Sequence, residues 1–125
     1  ATAPDATIAA LKSFPDPRRL VLIVGGTDKN LDYQPLARFL AAYPIKALVL
    51  LPGTATEKIK RQMANGGRRI AVTEARSMRE AVRKAERTAE RGDVVLLSPG
   101  AASFGLFQHE FDRGAQFVKE VQRLR

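Results

Sequence analysis

The sequence predicts an open three-layer α/β/α sandwich, a mainly parallel sheet of about four strands with helices on both faces. Three observations carry this. Four short apolar runs recur along the 125 residues. Three of them are apolar at every position, as strands buried on both faces are. Amphipathic stretches of helical period separate the runs, and strict alternation of strand and helix asks for parallel strands joined by crossovers.

Taken in order, the stretch from Pro4 to Phe14 reads as a helix, and Pro15-Asp-Pro17 is a turn that stops it. The first strand is Leu20-Val-Leu-Ile-Val24. Asp32 can cap the next helix with Pro35 in its first turn, and Leu36, Phe39, Leu40 and Tyr43 repeat at helical spacing. The second strand is Ala47-Leu-Val-Leu-Leu51. Thr54-Ala-Thr-Glu57 then has the form of a capping box ahead of Ile59 and Met63. Arg69-Ile-Ala-Val-Thr73 is the third strand, and the least apolar. Ser77-Met-Arg-Glu80 repeats the box, Ala81, Val82, Ala85 and Ala89 share one face, and Gly92 sits where a helix end often needs a left-handed residue. Val94-Val-Leu-Leu97 is the fourth strand. Phe107, Phe111, Ala115, Val118 and Val121 mark a final helix. One domain over 1–125, Rossmann-like in type, is the reading.

Composition narrows the function classes. Hydrophobic residues make up 45% and charged residues 27% of the chain, which suits a folded soluble domain. No apolar run approaches the ~20 residues of a membrane helix, so no membrane partner is expected. The chain has no cysteine, which excludes disulfides and thiolate metal sites. Nothing at the start reads as a secretory signal, and a cytoplasmic location is expected. With 21 Lys and Arg against 13 Asp and Glu, the formal charge of +8 favours acidic ligands or polyanions.

In open parallel sheets ligands gather at the carboxyl ends of the strands, and two exits there carry suggestive residues. After the first strand comes Gly25-Gly-Thr-Asp-Lys29-Asn30: two glycines admit close approach to backbone amides, and Lys29 adds positive charge. The glycine spacing fits neither the dinucleotide fingerprint nor the Walker phosphate loop. After the fourth strand comes Ser98-Pro-Gly-Ala-Ala-Ser103-Phe104, whose amides and Ser103 hydroxyl could hold a carboxylate or phosphate. The plain alternatives are a tight turn with a solvated lysine and a serine that only caps a helix. Arg79, Arg83, Arg87 and Arg91 recur every four residues; they form either a polyanion-binding stripe or a solvated face. His109 is the single histidine and has no second one to pair with on a metal. No catalytic triad, metal cluster or carboxylate pair stands out, so no catalytic residue is assigned and the chain reads as a binding domain.

At the two loops the sequence becomes specific. Gly25-Gly-Thr-Asp-Lys29-Asn-Leu-Asp-Tyr33, then Leu96-Leu-Ser-Pro-Gly-Ala-Ala-Ser-Phe104 and Phe111-Asp-Arg-Gly114, together resemble the C-terminal domain of the Mur ligases, above all the members that add D-glutamate. The opening Ala1-Thr-Ala-Pro-Asp-Ala-Thr7 looks like the end of another segment of that family. The resemblance implies the third domain of a cytoplasmic peptidoglycan-precursor ligase, with the N-terminal UDP-binding and central ATP-binding domains outside this chain. It implies that the parent joins D-glutamate to UDP-N-acetylmuramoyl-L-alanine through an acyl phosphate. ATP and Mg2+ would then be held mainly by the central domain, with no cofactor in this one. Thr2 and Lys29 would contact D-glutamate, with Ser103 and the Phe104 backbone on its other carboxylate. A monomer is expected, inactive alone, with no nucleic acid bound. A stand-alone basic module for RNA or nucleotides, and a sister ligase adding another amino acid, stay open as alternatives.

Overall fold

In a computed structural model, residues 3–25, 32–63, 70–97 and 116–119 are described; for 3–6 and 116–119 the description is of the backbone. The order is α1 (Ala3–Lys12), a 3-10 turn (Pro17–Arg19), β1 (Leu20–Gly25), α2 (Gln34–Ala42), β2 (Ala47–Leu51), α3 (Thr54–Met63), β3 (Ala71–Glu74), α4 (Met78–Thr88), β4 (Val94–Leu97) and β5 (Gln116–Lys119). All strands pair in parallel, in the order β3-β2-β1-β4-β5. This is the α/β sandwich that the alternation predicts, with one strand more than the four apolar runs.

The unbroken apolar runs are explained by the two faces. Alternate residues of a strand point to opposite sides. On one side Leu20, Leu22, Val24, Leu48, Leu50 and Leu96 pack with Leu11 of α1, Leu36 and Leu40 of α2, and Ile59 of α3. On the other, Val21, Ile23, Val49, Leu51, Val95 and Leu97 pack with Met78, Ala81 and Ala85 of α4 and with Ala89. Every position of β1 and β2 is therefore buried. Each fully buried Leu or Ile contributes about 2 kcal/mol relative to exposure. The small alanines on α4 let that helix lie close on its face of the sheet.

Local signals behave as local chemistry dictates. Ser77 caps α4, its Oγ accepting from the Glu80 amide at 3.1 Å, while Glu80 Oε1 accepts from the Arg76 amide at 2.8 Å. Ahead of α2, Asp32 Oδ1 accepts from the Gln34 amide at 3.0 Å, with Tyr33 as the cap residue and Pro35 inside the first turn. The cap thus sits one residue later than Asp32.

Two elements differ from the sequence reading. Residues 116–119, placed in the final helix by its apolar spacing, form β5, pairing Val94–Leu97 with Gln116–Lys119. A parallel partner strand satisfies the open edge of β4, and a four-residue run containing Phe117 and Val118 suits a strand as well as a helix turn. Phe107, Phe111, Ala115 and Val121 lie outside the described residues. β3 begins at Ala71, with Ile70 ahead of it and Arg69 outside the described residues, and is exposed along its length, with Val72 at 46%. It is the end strand of the described sheet. Gly92 does adopt a positive φ of +89°, but in the turn entering β4, four residues beyond the end of α4.

Candidate functional site

The sequence puts the expected site in the loops that follow β1 and β4. These two strands are neighbours, with Ile23 opposite Leu97, so the chain leaves the sheet at adjacent points and in the same direction. From β1 the chain goes on to β2 on one side; from β4 it goes on to β5 on the other. Strand order reverses between them, which in open parallel sheets opens a crevice at the carboxyl edge. Lys29 follows β1 by four residues, and Ser103 and Phe104 follow β4 by six and seven. These three residues, Thr2, His109 and the loop residues around them lie outside the described residues. What the described residues bring together is the pair of strand ends from which both loops depart.

The exit of β1 is tightly built. Gly25 has φ +123°, a region that side chains disfavour. A Cβ there would stand 3.0 Å from the Leu51 carbonyl oxygen and 3.1 Å from the Leu51 nitrogen, and would collide with Thr56 Oγ1. Gly25 is opposite Leu51 in the ladder, and the Thr56 hydroxyl donates to the Leu51 carbonyl. Three elements therefore meet at this corner: the end of β1, the end of β2 and the first turn of α3. Thr56 is buried, at 2% exposure. The capping box read at Thr54 pointed to the right turn, but the buried hydroxyl belongs to Thr56.

A second polar cluster, which sequence reasoning missed, sits at the opposite edge. Asp93, 4% exposed, immediately precedes β4. Lys46 Nζ, just ahead of β2, lies 2.6 Å from Asp93 Oδ2, and Arg19 Nη1, just ahead of β1, lies 3.8 Å from Asp93 Oδ1. Asp93 Oδ2 also accepts from the Glu90 amide at 2.8 Å. One carboxylate thus joins the starts of three adjacent strands. The signal was present as a charged residue at the amino end of three apolar runs; recognising the set required the strand order. Because it lies at the wrong edge for a ligand of this architecture, its role is to hold the sheet.

On the outer surface, Lys60 of α3 reaches Glu74 of β3 at 2.8 Å, and that hydrogen bond raises the lysine above its ordinary range, helped by Glu57. Glu80 is held below the usual carboxylate range, first by the Arg76 amide that it accepts from, then by Lys84 and Arg76 as charges, against desolvation. Both groups are solvent-accessible, so these are weak ties. Arg79, Arg83 and Arg87 are exposed on α4, while Arg91 lies beyond its end. Glu80 and Glu86 flank that face, and it carries no aromatic residue for stacking on bases. Among the described residues no helix is long and apolar enough to cross a membrane, and no group of three acidic or histidine side chains is gathered to hold a metal ion.

The description of a known domain family, "Mur ligase, glutamate ligase domain", matches residues 1–101. The chain belongs to the Mur ligase family. It is 47% identical over 123 residues to UDP-N-acetylmuramoylalanine--D-glutamate ligase of Roseiflexus sp. (strain RS-1), an alignment spanning 98% of this chain and 26% of that protein. The enzyme of the same name from Marinobacter nauticus is 44% identical over 120 residues, spanning 95% and 26%. That from Treponema pallidum (strain Nichols) is 43% identical over 121 residues, spanning 97% and 22%. This Mur ligase domain therefore spans about a quarter of the length of these curated relatives.

Proposed function

We propose that this domain binds the incoming amino acid of an ATP-dependent, amide-forming ligase that adds D-glutamate to UDP-N-acetylmuramoyl-L-alanine in the cytoplasm. The observation that carries the reading is the adjacency of the β1 and β4 exits at the point where strand order reverses. A dicarboxylate needs two anion sites held a short distance apart. Lys29 downstream of one exit and Ser103 with the Phe104 amide downstream of the other are suited to that task by charge and by donor chemistry. Thr2 precedes α1, whose last turn lies at the amino edge, where the Tyr43 hydroxyl donates to the Leu11 carbonyl at 3.4 Å.

The reading gives this domain the tasks of holding and orienting the nucleophile, with its amine free to attack. The sequence has no Walker phosphate loop, and among the described residues no carboxylate set is gathered for a metal ion. Nucleotide and metal belong, in this reading, to the remaining three quarters of the parent ligase.

In the full-length ligase, Lys29→Ala is expected to remove most activity with D-glutamate, raising its KM about 100-fold or more, as loss of a charged partner does. Wild-type kinetics in that variant would refute the assignment. Assaying other amino acids beside D-glutamate separates this reading from a sister ligase.

A further inference from the structure

The proposed site makes no use of Thr56, yet Thr56 is one of only three buried polar or charged side chains among the described residues, with Thr7 and Asp93. Its hydroxyl spans the turn between β2 and α3 to reach the Leu51 carbonyl. The same oxygen occupies the volume that a Cβ on Gly25 would fill, and Gly25 is where the chain leaves β1 with a positive φ. A valine in place of Thr56 would fill similar volume but remove the donor to the Leu51 carbonyl and set a methyl group against the Gly25 backbone. The backbone at the end of β1 is thus packed against a hydroxyl on another element.

We infer that Thr56 is a positioning residue for the amino-acid-binding edge: it fixes the backbone at Gly25, where β1 ends four residues ahead of Lys29. The inference rests on the reading proposed above. Thr56 touches no reacting group in this account. It acts by holding the β1 exit, the β2 end and the first turn of α3 in one arrangement, so its loss tells on the binding of the amino acid more than on the chemistry that follows.

The test is steady-state kinetics of the full-length ligase carrying Thr56→Val, Thr56→Ala or Thr56→Ser, with KM measured separately for D-glutamate, ATP and the UDP-linked substrate. Removing the hydroxyl is expected to raise the D-glutamate KM about tenfold, since small misplacements of a binding group are costly. The other two KM values and kcat should change less than about twofold, and serine, which keeps the hydroxyl, should restore the D-glutamate KM. If Thr56→Val and Thr56→Ala keep the wild-type D-glutamate KM, or raise all three KM values alike, the inference is overturned. Alanine removes the hydroxyl without adding bulk, so it serves if the valine variant does not fold. Lys29→Ala run in parallel separates the failures. If that variant loses D-glutamate binding while the hydroxyl-free variants do not, only the role of Thr56 falls; if Lys29→Ala matches wild type, both fall.

Discussion

A side chain at position 25 would need to hold a φ of +123° and share space with the Thr56 hydroxyl and the Leu51 backbone. Gly25→Ala is therefore expected to destabilise the fold by about 3 kcal/mol, combining backbone strain with overpacking. Urea unfolding with a lowered midpoint and an unchanged slope would register it. At the opposite edge, Asp93→Ala takes the shared carboxylate from Lys46 and Arg19, leaving them Glu90 at 3.5 Å and Asp16 at 3.9 Å, and frees the Glu90 amide from its acceptor. A loss of about 3 kcal/mol is expected in the same measurement, and a loss under about 1 kcal/mol, typical of a surface pair, would contradict the anchoring role. The sequence displays these residues without displaying their relation. Arg19, Lys46 and Asp93 each stand at the head of an apolar run, but their meeting depends on β1 lying between β2 and β4, which is a property of the sheet.

Elements were legible wherever the deciding chemistry is local. The Ser77–Glu80 box is visible in four consecutive residues and caps α4 as read, so Ser77→Ala should cost about 1 kcal/mol, seen as a lower melting temperature. Glu80 adds a pH signature. Its carboxyl is held below the ordinary range in the folded state, so its contribution is present above that range and is lost as pH falls through it. Melting temperatures of wild type and Glu80→Gln should therefore differ at neutral pH and converge below about pH 4. A constant gap across the titration would mean that the charge plays no part. β3 and β5 were harder to read, for a physical reason. A strand at the side of a sheet buries less, its sequence carries a weaker apolar signature, and short runs such as Gln116–Lys119 leave helix and strand equally served. The central strands, hydrophobic at every position, left no such choice.

At the scale of the whole molecule, the reversal of strand order follows from which faces the helices cover. α2 and α3 lie on one face and α4 on the other, so the connection from β3 to β4 passes over the opposite side and lands β4 next to β1. Alternation of strands and helices announced a parallel sheet; which strands would be neighbours was not in the pattern. The candidate site is read from the sequence as two loops with anion-binding chemistry; the topology adds that the strand ends they follow, those of β1 and β4, are neighbours. Since the proposed reaction needs nucleotide, acceptor and amino acid brought together, the isolated chain should fold cooperatively yet release no phosphate from ATP with D-glutamate and the UDP-linked acceptor. Turnover by this chain alone would overturn the division of labour.

The Asp93 knot also separates what can be altered from what cannot. It ties together the amino ends of β1, β2 and β4, the end remote from the loops proposed to bind the amino acid. The segments beyond Gly25 and Leu97 could be exchanged while the clamp is left untouched, with the rest of the domain as a chassis whose thermal tolerance carries over from one loop set to the next.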